Sequence, residues 1–121
     1  MSGQPTEPLK LASISAFERK SDNRLAVEAA VAYLALPAPT LVARPDAVHV
    51  TVNDVDDLSA WVYFLGGEVR RGPSSDGAAL WTLRTETPAR PDGSKVTVYV
   101  HAAVVDGDDV LVEVRRAVAN V

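Results

Sequence analysis

The sequence predicts an α+β domain: a small, mostly antiparallel sheet of βαβββ order with helices on one face and an extra N-terminal helix. Three observations carry this. Val48-His49-Val50-Thr51-Val52 alternates apolar and polar residues with the period of a half-buried strand. Val55, Leu58, Val62 and Leu65 follow at helical spacing and stop at Gly66-Gly67. Two longer strand-like segments, 78–86 and 95–105, then flank the turn sequence Arg90-Pro91-Asp92-Gly93.

The chain has 121 residues, a common size for one domain. Residues 1–20 read as a flexible lead and 21–121 as the α+β domain. Within the lead, Leu9 to Phe17 alternates loosely, as a short extended segment would. Ser21 looks like an N-cap with Asp22 in the first turn, which starts a helix that runs to about Ala35 and ends at Pro37 and Pro39. This helix is apolar nearly all round, and its alanines allow another backbone to come close. One sheet covers one side of such a helix, so a second copy of the chain is expected to cover the rest through Leu25, Ala29, Ala32 and Tyr33.

Pro37 to Pro45 reads as a proline-rich connector. After the strand at 48–52, Asn53 is the expected cap of the second helix, and Asp54, Asp56 and Asp57 favour its positive end. Glu68 to Arg71 forms a short strand. The tail has two readings. Val110 to Val114 extends as a strand, which the stiffness of valine favours; alternatively Asp108 caps a helix that aligns Val110, Leu111, Val114 and Val118.

Composition excludes several classes. There are no cysteines, hence no disulfide, thiolate site or cysteine nucleophile. The longest apolar run, Leu25 to Leu36, is too short to span a bilayer, and the N-terminus lacks a secretory pattern, so the expected location is the cytoplasm with no membrane partner. Nine of the twelve basic residues are arginine, which fits a GC-rich bacterial or phage genome. The net charge of −4 disfavours indiscriminate nucleic-acid binding. Arg70-Arg71 and Arg115-Arg116, with Arg84, Arg90 and Lys95, are the cations that a nucleic-acid backbone would use, but no recognition motif accompanies them. Phosphate-binding loops and nucleophile elbows are absent from the sequence. No catalytic residue and no cofactor is assigned.

The strand pattern separates two faces. Val48, Val50, Val52, Val96, Val98 and Val100 point one way, with Trp81 and Leu83, and take the helices. The other face collects His49, Thr51, Thr82, Arg84, Glu86, Thr97, Tyr99 and His101, including both histidines of the chain. Thr51, Arg84, Glu86, Tyr99 and His101 are the expected binding residues for an unidentified protein partner. The leading expectation is therefore a non-enzymatic interaction or regulatory module that acts as a homodimer. The alternative is a metal site in which a carboxylate such as Glu86, or a second subunit, supplements His49 and His101.

The stretch from His49 to Leu58, with Leu65-Gly66-Gly67-Glu68-Val69 after it, resembles the opening of a vicinal-oxygen-chelate (glyoxalase/bleomycin-resistance) module. The resemblance covers about half the chain and one module, where two normally build a site. It implies a βαβββ unit with a metal ligand on the first strand and another on the fourth, at the positions of His49 and His101.

Overall fold

The computed structural model describes residues 8–118. In chain order it contains α1 (Pro8–Leu34), β1 (Thr40–Ala43), β2 (Val48–Thr51), α2 (Val55–Leu65), β3 (Glu68–Arg71), β4 (Ala78–Glu86), β5 (Thr97–Val105) and α3 (Val112–Ala117). The five strands form one mixed sheet in the order β1-β2-β5-β4-β3. Only β2 and β5 pair in parallel; the other three pairings are antiparallel. The α+β class and the βαβββ run from β2 to β5 agree with the sequence reading.

All three helices lie on one face of the sheet. Val27 of α1, Leu58 and Trp61 of α2, and Val114 of α3 share a core with Val48, Val50, Val69, Leu83, Val98 and Val100, and each of these side chains is fully buried. Such burial stabilises by roughly 1.5–3 kcal/mol for each large side chain. The strand alternation explains the one-sided core, because successive residues point to opposite faces.

Polar groups buried with the core find partners. The Trp61 indole Nε1–H donates to the Pro37 carbonyl at 2.8 Å, tying α2 to the connector behind α1. The Asn23 amide donates to the carbonyls of Arg44 and Pro45 at 3.0 and 3.1 Å, which holds α1 over the β1–β2 turn. The Thr85 hydroxyl donates to the carbonyl of Leu65 at 3.2 Å, joining β4 to the last turn of α2.

Four elements differ from the sequence reading. The helix expected from Ser21 begins at Pro8, so Leu9 to Phe17 is helical rather than extended. No glycine or proline interrupts the chain from Leu9 to Leu34, and proline suits a first helical position. Residues 1–7 of the expected lead lie outside the described residues. The connector holds a strand, β1, bounded by Pro39 and Pro45, as an edge strand permits. The α2 cap is Asp54 rather than Asn53: its carboxylate accepts the Asp57 N–H at 3.0 Å. The tail is helical rather than a strand up to Val114, since as α3 it drops Val114 into the core.

Gly66 and Gly67 explain the sharp exit from α2. Both have positive φ, 69° and 116°. A Cβ at Gly66 meets nothing within 4 Å, whereas one at Gly67 falls 2.3 Å from the Arg84 carbonyl oxygen. Gly66→Ala therefore costs backbone strain alone, about 1–3 kcal/mol. Gly67→Ala adds a clash with rigid backbone and should cost more. Urea unfolding of both variants reads this directly; equal losses would contradict the close approach of β3 to β4.

Candidate functional site

Among the described residues no element covers the face opposite the helices. Registers across the sheet arrange it in rows. One row runs Val42, His49, Tyr99, Arg84, Glu68 across all five strands; the next runs Thr51, His101, Thr82, Arg70 with Thr40 at its end. His49, Tyr99, His101 and Thr82 at the centre are half-buried, while Thr51, Arg84, Glu86, Glu68 and Arg70 are exposed. The expected face is therefore present, with every partner-binding residue of the sequence reading on it. Glu86 sits apart: its cross-strand neighbour is Thr97, one alternation beyond the Tyr99 row and two beyond the His101 row.

The parallel β2–β5 pairing brings the two imidazoles together. His49 Nδ1 and His101 Nε2 are 3.1 Å apart. The ring planes differ by 3° and the centroids are 5.4 Å apart. That separation exceeds the nitrogen distance by about two ring radii, so the rings lie end to end in one plane and share a linear hydrogen bond. The Thr82 hydroxyl lies 2.9 Å from His101 Nδ1, and the Tyr99 ring stacks beside His49 with centroids 5.2 Å apart.

These contacts form a chain, Thr82–His101–His49, in which each link carries one proton. If Thr82 donates to His101 Nδ1, then His101 Nε2–H donates to His49 Nδ1, and His49 presents its Nε2–H outward. If the chain runs the other way, His49 presents a lone pair. The face can thus offer a donor or an acceptor at one position without moving a heavy atom.

Four cavities in the surface are lined by other residues, none by His49, Tyr99 or His101. The face is open, which suits a broad partner better than a small enclosed ligand. Among the described residues no group of three or more His, Cys, Asp or Glu side chains converges as a metal site. Glu86 does not join the two histidines, so the described residues do not bring together the three protein ligands of a typical catalytic zinc.

Thr82 was placed on this face from sequence, but its contact with His101, which anchors the histidine pair, was not read there. Three further residues of the face were not named. Val42, Leu80 and Val105 expose apolar surface beside that pair. Alternation along β4 and β5 extends to Leu80, Ala103 and Val105, so these were within reach of the sequence; Val42 required knowing that β1 is a strand.

The residues expected to form a dimer interface, Leu25, Ala29, Ala32 and Tyr33, are all exposed on α1. The arginines do not form one patch: Arg70 lies on the open face, Arg71 stacks over Trp81 on the covered side at 5.8 Å, and Arg115 and Arg116 belong to α3. Among the described residues no helix is long and apolar enough to cross a membrane.

Fold and face together define a one-sided α+β domain with a histidine-centred surface. In comparison with known proteins, no family model, no curated protein and no solved structure matches the chain.

Burial, and then the charge of His49, hold the His101 pKa below its ordinary value of 6.5. The unfolded chain consequently takes up this proton at a higher pH than the folded one. Stability is full above about 6.5 and falls as pH drops through that value toward the lower folded pKa. The urea midpoint should decline from pH 7.5 to pH 5.5 in the native chain and decline less in His101→Gln. The same slope in both would remove His101 as its source.

Proposed function

We propose that the protein is a non-enzymatic interaction or regulatory module, working as a homodimer in the cytoplasm, that binds a protein partner through the open face of its sheet. The observation that carries this reading is the make-up of the face. Half-buried aromatic groups, His49, Tyr99 and His101, occupy the centre; Leu80 and Val105 add apolar surface; Arg84, Arg70, Glu68 and Glu86 form a charged rim. Interfaces have this anatomy, with aromatic residues at the core and charge at the edge. Neither histidine lines any of the four cavities formed by the described residues, which supports a partner with an extended surface.

A second reading follows from the histidine pair. The run from β2 to β5 has the βαβββ order, and His49 and His101 fall on its first and fourth strands in mutual contact. These are the positions that the vicinal-oxygen-chelate resemblance implies for metal ligands. In this reading two chains each contribute a pair, because among the described residues no third ligand joins His49 and His101.

The two readings separate experimentally. Immobilised protein should retain a host protein that Tyr99→Asp and His101→Asp each lose by more than tenfold, while a substitution on β3's edge at Arg71 leaves it. A set of retained proteins indifferent to all three variants would end the first reading. For the second, equilibrium dialysis against zinc should give one ion for two chains, abolished by His49→Ala and by His101→Ala. No uptake at micromolar zinc would dismiss it.

A further inference from the structure

The helix α1 is larger than the fold needs. It spans 27 residues, about 40 Å of helix. Its packing on the core comes from Val27 and Ala30, with Ala26, Val31 and Leu34 beside them, while Ser15 and Phe17 to Asp22 are exposed. A helical stretch of this length standing in water is marginal without tertiary cover.

The side of α1 turned away from the sheet carries the missing half of a helix–helix contact. Asp22, Leu25, Ala29 and Tyr33 follow one another at spacings of three and four residues, with Ala32 beside Tyr33, and share this side. Leu25 is 68% and Tyr33 89% exposed, although both are large and apolar or amphipathic. Next to them lies a groove of about 460 Å³ between α1 and the loop Thr87 to Pro91, floored by Leu25, Ala26, Ala29 and Ala30 and walled by Pro88, Ala89 and Pro91. Its apolar lining contrasts with the mixed polar surfaces of the other cavities.

We propose that α1 of a second copy fills this groove, the two helices running antiparallel about a two-fold axis near Val27 and Glu28. The occupant follows from self-complementarity, which a two-fold interface requires. An antiparallel pair centred there sets Leu25 of each helix against Ala29 of the other, a large side chain into the gap left by small ones. It also sets Tyr33 of each opposite Asp22 of the other, where the phenol O–H can donate to the carboxylate. The same arrangement lays the exposed residues Phe17 to Asp22 of each α1 beside the Tyr33 end of its mate. The open sheet face, on the other side of the molecule, stays free. This inference rests on the homodimer part of the proposed function and assigns it a surface.

Light scattering on a sizing column at micromolar concentration tests it with three proteins. The native chain should have the mass of a dimer. Ala29→Glu, a substitution at an exposed position, should run as a monomer with an unchanged circular dichroism spectrum. Thr51→Glu, on the open face, should remain a dimer. The chain has no native cysteine, so Ala29→Cys treated with a short bismaleimide supplies a second reading: efficient capture as a dimer of the native mass. A dimer that survives Ala29→Glu and resists capture overturns the groove but keeps the homodimer. A dimer broken by Thr51→Glu alone moves the interface to the sheet face and likewise overturns the groove. A monomeric native chain overturns both.

Discussion

The parallel pairing of β2 with β5 is the constraint from which the rest of the molecule follows. A parallel neighbour cannot be reached by a hairpin, so the chain must leave the sheet after β2 and return from the far side. It does so through α2, then adds β3, β4 and β5 as an antiparallel meander that closes back against β2. Each step places something. The excursion deposits α2 over the sheet centre, where Leu58 and Trp61 are buried, and the return brings His101 beside His49. Two residues 52 positions apart in sequence thus meet on the central pair of strands.

Hydrophobic burial supplies most of the driving force, yet specific polar links fix how the layers sit. Trp61 reaches the Pro37 carbonyl, Asn23 reaches the β1–β2 turn, and Thr85 reaches the end of α2. Each spans two elements that the apolar contacts alone would leave free to slide. The buried donors of Trp61 and Thr85 would each cost about 1–3 kcal/mol if left unpaired, so these two links penalise alternative arrangements as well as supporting the observed one. The acidic residues at the start of α2 belong to the same category. Asp54 closes the first turn through the Asp57 N–H, a structural use of carboxylates that needs no bound ion.

Much of this was legible in the residues themselves. Period-two alternation in 48–52, 78–86 and 95–105 identified the strands and sorted their faces, because valine inside and histidine, threonine or arginine outside leave one consistent orientation. The glycine pair after Leu65 marked the end of α2 for the same local reason. What escaped was set by contacts distant in sequence. Thr40 to Ala43 has strand-forming residues, but its flanking prolines read as a connector until β2 offers a partner. By itself the stiffness of valine favours a strand over Val110 to Val114; burial of Val114 against the core decides for the helix instead. The start of α1 was misplaced because Ser21 and Asp22 make a good cap in isolation, although nothing upstream stops the helix. Within the candidate site, Thr82 lay in plain view on the correct face, but its role as an anchor depends on the lateral order of strands, which alternation alone does not encode.

Alternation has one more consequence, for how this protein can change. On every strand, odd and even positions answer to different masters: one set to interior packing, the other to whatever meets the bare surface. Substitutions at Thr51, Arg84, Tyr99 or Leu80 therefore change the open surface while the core side chains keep their places, and drift in the valines leaves the outer chemistry intact. A lineage carrying this fold can rewrite the chemistry of that surface one residue at a time on an unchanged interior.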